Sequence, residues 1–226
     1  MLIAIEGIDG VGKATQTKLL ADALATAGKE CVTFEFPNYK KSVYGQLLGE
    51  CLAGKRGDFA NMDPRVASTL YMVDRHEAAP EISAAIERDA IVVCDRFNGS
   101  NQIHQGGKVA SDEERIEILN WLDHAEHDVL GNPRPDVVVY LDAPVDLALQ
   151  LLEQKRAAKG TILADGESDQ VEKDRNYLDN SYRMARWIAE RDPVWHLIDC
   201  TDGQGGMRSR ESIHEEVLGI IRPLLV

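Results

Sequence analysis

Positive charge is what this sequence is short of. Its 226 residues carry 25 Lys and Arg against 38 Asp and Glu, a formal net charge of -13 with six neutral His. So acidic a surface works against nucleic acid or an anionic membrane as the main partner, because both are held by an excess of Lys and Arg. A small anionic ligand stays open, since it needs only a local cluster of donors. Cysteine is sparse too. Cys31, Cys51, Cys94 and Cys200 form no C-x-x-C pair and no Cys/His spacing that suits a metal. They read as free thiols, and the expected location is the reducing cytoplasm. No apolar run approaches the roughly 20 residues of a membrane-spanning helix. The opening "MLIAIEG" has no basic segment and leads straight into a strand, so it is expected to be a folding element, not a signal peptide. Internal repeats and long linkers are missing as well. With 44% hydrophobic and 28% charged residues, the length fits one globular domain over 1–226.

Strand-like and helix-like segments alternate. "LIAIE" (2–6), "CVTFEF" (31–36), "AIVVCD" (90–95), "DVVVYLD" (136–142) and "WHLIDC" (195–200) are continuous apolar runs. Such runs predict buried parallel strands covered by helices on both faces. Leu19, Leu20, Ala23 and Leu24 predict a helix after Gly12 that Gly28 can end. A second helix carries Val43, Leu47, Leu48 and Leu52. Asp63 caps a longer one with Pro64 at its first position. Asp112 to Val129 reads as one amphipathic helix, and Arg210 to Leu225 as a closing helix. The irregular stretch Ala157–Gln170 fits either a lid or an ordinary surface loop. Trp121, Trp187 and Trp195 fit core or interface equally.

The chemistry starts at "GIDGVGKAT", Gly7 to Thr15. A strand, then G-x-x-x-x-G-K, then a helix is the context of a phosphate-binding loop. Backbone N–H groups of Gly7, Ile8, Asp9, Gly10, Val11 and Gly12 can converge on phosphate oxygens, and Lys13 adds a full charge. Ala14 stands where a Ser or Thr hydroxyl would touch Mg2+, and Thr15 is one position along, expected to point away on the helix. Magnesium keeps several waters and leans on substrate phosphates, so a nearby carboxylate can support it. Asp9 is the expected metal residue. Glu6, just before the loop, fits either a partner of Asp9 or the metal shell, or a structural partner of the arginines.

Four further clusters complete the pattern: "FPNY" (36–39), "YMVDR" (71–75), "DRFNGSNQ" (95–102) and "RPDVVVYLD" (134–142). With "IEGIDGVGK", and in this order and spacing from Met1 to about Trp195, they resemble the thymidylate kinases. These are P-loop enzymes that phosphorylate dTMP with ATP. The resemblance implies a three-layer α/β/α P-loop NTPase fold, α/β in class, with a central five-stranded parallel sheet and a short lid at about 155–171. It implies ATP on residues 7–15, with Mg2+, and dTMP in a second site. Arg96, at a strand end beside the loop, is expected to hold the acceptor phosphate through paired N–H donors. Phe36, Pro37 and Tyr39 would line the acceptor sugar and phosphate. By the resemblance Tyr71 stacks on the base and Arg75 bonds its carbonyl edge, although spacing alone fits Tyr71 to the core equally well. Ser100 and Asn101 match positions that face the base.

Three departures from the family pattern stand out. His104 replaces a frequent Tyr near the sugar, which puts ribose discrimination in question. Phe97 replaces another common Tyr. Gly10 stands where some members carry an arginine, so the charge on the moving phosphoryl would come from the lid, from Lys155, Arg156 or Lys159, with Arg156 favoured for its fork. Beyond the lid, "DQVE" resembles the family's D-x-x-E, which makes Glu172 an expected catalytic carboxylate. The catalytic set is thus Asp9, Lys13, Arg96, Arg156 and Glu172. The resemblance also implies a homodimer. Two alternatives stay open: a monophosphate kinase of broader choice (dUMP or UMP), and a nucleotide-binding regulator without turnover, suggested by Ala14.

Overall fold

The computed structural model describes residues 1–159 and 174–225, with only the backbone of Arg156, Ala158 and Lys159. Glu172, the side chains of Arg156 and Lys159, and residues 160–171 of the expected lid therefore lie outside the described residues. Strands β1 (Leu2–Glu6), β2 (Cys31–Glu35), β3 (Ile91–Asp95), β4 (Val137–Asp142) and β5 (Trp195–Asp199) form one parallel sheet in the order β2-β3-β1-β4-β5. β1 is central. Ile5 pairs with Asp95 and Glu6 with Tyr140, so β1 and β3 end within one residue of each other and β4 reaches two residues further. Their loops all open on the carboxyl edge, where open parallel sheets bind ligands.

The sheet is covered on both faces, as its unbroken apolar strands predict. Ile3 and Ile5 pack on one side with Leu20 and Leu24 of α1 (Lys13–Thr26), Ala148 of α6 (Val145–Lys159) and Val217 of α8 (Arg210–Ile221). Leu2 and Ala4 face the other side. There they meet Ile82 of α3 (Pro64–Glu87), Ile103 of α4 (Asn98–Gly106) and Met184 of α7 (Arg175–Ala189). The edge strand β2 is only partly buried, which its position explains.

Local signals set most helix ends. The Asp63 carboxylate accepts from the N–H of Arg65 and Val66 at the start of α3. Ser42 caps α2 (Val43–Leu52) in the same way. Ser111 and Glu114 form a capping box on α5 (Asp112–Asp123). Three expectations are corrected. The helix expected to run unbroken to Val129 widens into a π turn over His124–Val129, where Glu126 and His127 are both drawn into a buried polar network. The irregular stretch does not begin at Ala157, because α6 continues to Lys159. The last helix stops at Ile221 and tightens into a 3₁₀ turn over Arg222–Leu224, since Pro223 has no N–H to continue the ladder. No helix among the described residues is long and apolar enough to cross a membrane.

Gly10 shows how tightly the phosphate loop is held. Its φ is +98°, and a Cβ added there would overlap the carbonyl oxygen of Ala148 in α6. Gly12 has a similar φ of +104° with open space around it. Gly10→Ala should therefore cost about 2 kcal/mol more than Gly12→Ala, from steric overlap added to backbone strain. Melting temperatures of the two variants check this; equal values would mean that α6 yields without cost.

Candidate active site

The phosphate loop is a rigid bridge between β1 and α1. Ile8 and Val11 are buried as its two anchors, which leaves the intervening backbone facing the carboxyl edge of the sheet. Lys155 reaches from α6 to donate to the Gly10 carbonyl at 2.9 Å. The Lys13 ammonium turns back into the loop and donates to Ile8 O at 3.0 Å and Asp9 Oδ1 at 3.3 Å. Burial, with Arg96 nearby, holds its pKa below the usual lysine range. Ala14 is exposed on the first turn of α1 and Thr15 is partly buried.

The second wall begins at the end of β3. Arg96 has φ +65°, an uncommon conformation for a residue with a side chain. Its backbone N–H is tied to Ile5 O at 3.0 Å. Its guanidinium donates to Asp9 Oδ1 at 2.6 Å and to Ser100 Oγ at 3.1 Å. Beneath it lies Glu6, fully buried, whose carboxylate accepts from Phe97 N (2.8 Å), Ser100 N (2.9 Å) and Ser100 Oγ (2.7 Å). Of the two roles open to Glu6, these bonds make it a structural anchor of the turn after β3, and it has no hydrogen bond to Asp9. Burial pushes its carboxyl above the ordinary range, against the pull of Arg96. Asp9 shows the opposite balance: Arg96 and Lys13 outweigh its burial and hold it well below the usual carboxylate range. Backbone strain at Arg96 is thus fixed on all sides, the pattern of a pre-organised site.

Between these walls opens a cleft of about 650 Å³, part of it open to solvent. Asp9 and Arg96 stand on its rim, with Phe36, Pro37, Tyr39, Tyr71, Arg75, Ser100, Asn101 and His104 around the wall. Every residue expected for the acceptor thus lines one cavity. The "FPNY" segment is fixed there because Asn38 N donates to the buried Asp74 of α3 at 3.0 Å, and a cis peptide joins Phe36 to Pro37. The Ser100 hydroxyl donates to Glu6 and accepts from Arg96, so besides lining the cleft it braces the arginine. Asn101 is buried and its amide donates to Ser68 O at 3.3 Å. Arg75 is buried and paired through its fork to Glu126.

Leu52, Phe97, Gln105, Tyr177 and Leu178 also line the cleft, and sequence reasoning did not assign them to it. Gln105 could have been found, being four residues from Asn101 on the same helix. Tyr177 and Leu178 come from α7 across a long gap, and no local signal marks them. Asp95, the first residue of "DRF", was also passed over. It interacts electrostatically with Lys13 and Asp9, and burial raises its carboxyl. All four cysteines are free and none lines the cleft.

His104 stacks on Tyr177 with centroids 5.6 Å apart, and its Nδ1 lies 3.0 Å from Ser181 Oγ. Burial, then Arg96, pushes its pKa down from 6.5 to about 3. The folded state keeps this ring neutral while an unfolded chain protonates it near 6.5. Its share of stability is therefore intact above that pH and lost progressively between 6.5 and 3, by about 2 kcal/mol at roughly pH 5. His104→Gln should lose correspondingly less on acidification than the wild type. Urea unfolding at neutral and mildly acidic pH checks this; parallel losses in both proteins would refute it.

A sequence model described as thymidylate kinase matches residues 5–207. The thymidylate kinase of Thermosipho melanesiensis is 34% identical over 203 residues, which span 89% of this chain and 90% of that one. That of Mycobacterium tuberculosis H37Rv is 34% identical over 148 residues, 66% of this chain and 68% of its own. The Solidesulfovibrio magneticus thymidylate kinase aligns over the whole of both chains at 29%. Among solved structures, a thymidylate kinase from Candida albicans superposes with a TM-score of 0.69, covering 99% of this chain and 91% of that one. At 20% identity it speaks for the fold, a P-loop NTPase fold. The family model spans the end of β1, the phosphate loop, the cleft and strands β2 to β5, and this chain belongs to the thymidylate kinase family.

Proposed function

We propose that this chain transfers the γ-phosphate of ATP to dTMP, giving dTDP and ADP. The observation that carries the reading is that Lys13 and Arg96 both bond Asp9, at the point where the loop meets a cleft lined by Asp9 and Arg96. Phosphoryl transfer needs in-line placement and positive charge more than it needs a base, because the attacking phosphate oxygen is already anionic. Residues Gly7 to Thr15 hold the donor phosphates, with Lys13 on the outer ones. Arg96 holds the acceptor phosphate, and its fixed backbone aims it. Phe36, Pro37 and Tyr39 border the sugar and phosphate. Tyr71 and Arg75 take the base, with Asn101 beside them, and His104 faces the sugar. Arg156 and Glu172 complete the reading from the lid side, and Lys155 supports a basic contribution from α6 through its bond to Gly10.

The residues present fit Mg2+. Among the described residues no three metal-binding side chains cluster. Magnesium bound with a nucleotide needs only one or two carboxylates, the remaining positions being waters and phosphates. Asp9 and Asp95, both near the Lys13 ammonium, would hold it. The ion, when bound, neutralises charge building on the transferred phosphoryl group. Lys13 and Arg96 presently share one oxygen of Asp9. Phosphates arriving on these two cations would compete for them and release that carboxylate.

A cytoplasmic homodimer completes the proposal, together with a single domain and its lid at about 155–171. Exposed Val66 and Ile116, on α3 and α5, support a face that a second copy covers. The acidic surface supports nucleotides rather than nucleic acid as partners. One observation favours a second reading of broader acceptor choice: a small neutral imidazole at His104 where a larger phenol is frequent. The Candida albicans relative is itself described as having broad substrate specificity. A regulator without turnover would have no use for the braced Arg96.

ADP release with ATP and Mg2+ should be strongest with dTMP among dTMP, dUMP, UMP, dCMP and dGMP. Silence with all five would overturn the proposal, and a maximum at UMP or dUMP would favour the second reading. Arg96→Ala should lower kcat/KM by about a thousandfold, the scale of a lost transition-state contact, with folding retained by circular dichroism. Near-normal turnover would remove Arg96 from the site. Ala14→Thr, on the first turn of α1, should lower the Mg2+ concentration for half-maximal rate; an unchanged requirement would show that position 14 does not reach the metal.

A further inference from the structure

We infer that Glu126 is a positioning residue for acceptor recognition, setting the Arg75 guanidinium in the plane from which its unused N–H groups meet the acceptor base. The inference rests on the acceptor-cleft reading above and assigns a role to a residue outside that cleft. Glu126 does not line the cavity, whereas Arg75 does. The two side chains, both 2% exposed, pair through Nε and Nη2 of the arginine and both oxygens of the carboxylate. A guanidinium has five N–H donors. Two go to Glu126, and one Nη1 bond to Phe97 O is long at 3.4 Å. That leaves two donors on the edge turned away from the carboxylate.

Several features hold the carboxylate itself. The π turn over His124–Val129 carries an i→i+5 bond from Leu130 N to Ala125 O, 3.1 Å, and Asn132 N closes onto Glu126 O at 3.1 Å. Asn132 Nδ2 is shared between Glu126 Oε1 (3.4 Å) and Met72 O (3.1 Å), one turn before Arg75 on α3. His127 Nδ1 bonds Asn132 O at 2.8 Å, and His76 Nδ1 lies 3.1 Å from Asn132 Oδ1. Single π turns concentrate at functional sites. A buried ion pair is also a poor way to gain stability, since apolar side chains of equal volume do as well or better. Its place directly behind the cleft wall points to orientation of Arg75. A lone arginine at this depth would rotate among its carbonyl neighbours, whereas a two-point pair fixes the plane of the fork.

Glu126→Gln keeps the volume but turns an amide N–H against an arginine N–H. It should raise KM for dTMP about 30-fold, the scale of one charge-assisted contact, with kcat and KM for ATP within about twofold. Glu126→Asp, which keeps the charge on a shorter stem, should fall between and carries the same test if Glu126→Gln melts too low to assay. A merely structural role would not move the second readout. Millimolar guanidinium ion should restore dTMP affinity to Arg75→Ala while Glu126 is present, and should fail in Arg75→Ala combined with Glu126→Asp or Glu126→Gln. Rescue that ignores Glu126, an unchanged KM for dTMP, or losses spread equally over kcat and both KM values would each overturn the inference. Absence of dTMP turnover and dTMP binding in the wild type would strike the functional proposal first, and this inference with it.

Discussion

One buried carboxylate holds the two halves of the site in register. Glu6 ends the central strand, has no exposed surface, and accepts three hydrogen bonds from Phe97 and Ser100. A carboxylate so deep is costly unless its oxygens are satisfied, and here they are satisfied by the turn that carries Arg96. The phosphate loop begins one residue after Glu6, so one group ties that loop to the turn that carries Arg96. Gly99 permits the approach: a Cβ there would lie 2.9 Å from Glu6 Oε1. The left-handed Arg96 backbone follows from the same clamp, because the chain must turn sharply to put both Phe97 N and Ser100 N on one carboxylate.

Charge is distributed with the same economy. On a chain of formal charge -13, the positive groups that matter are few, and they are held at the carboxyl edge of the sheet. Lys13 and Arg96 meet on Asp9, which keeps both aimed at one point. Arg75 is paired within the protein to Glu126. Two carboxylates thus hold three cations, Asp9 both Lys13 and Arg96, and Glu126 Arg75. Pre-organisation of this kind lowers the reorganisation needed when a charged ligand binds.

Much of this was legible in the sequence because it depends on short-range chemistry. Unbroken apolar runs gave the parallel strands, Asp63 with Pro64 gave the start of α3, and the glycine spacing with Lys13 gave the phosphate loop. The residues proposed for the acceptor came from short motifs in family order, and they line one cleft. Reading failed where a side chain has two plausible neighbours. The helix through Val129 was expected to stay regular, and its last turn widens around Glu126. Tyr177 and Leu178 complete the cleft from α7, and no local pattern announces them.

The sequence by itself determined which segments are strands and helices, that a phosphate loop sits between the first of each, and that acidic bulk surrounds a few selected cations. Those properties follow from periodicity, capping and glycine content, which act over a few residues. Tertiary structure alone decided which carboxylate serves which arginine. Glu6 meets Ser100 across 94 positions and Arg75 meets Glu126 across 51. Partners so far apart are chosen by strand order and helix packing, because a buried charge takes whichever counter-charge the fold brings within hydrogen-bonding reach.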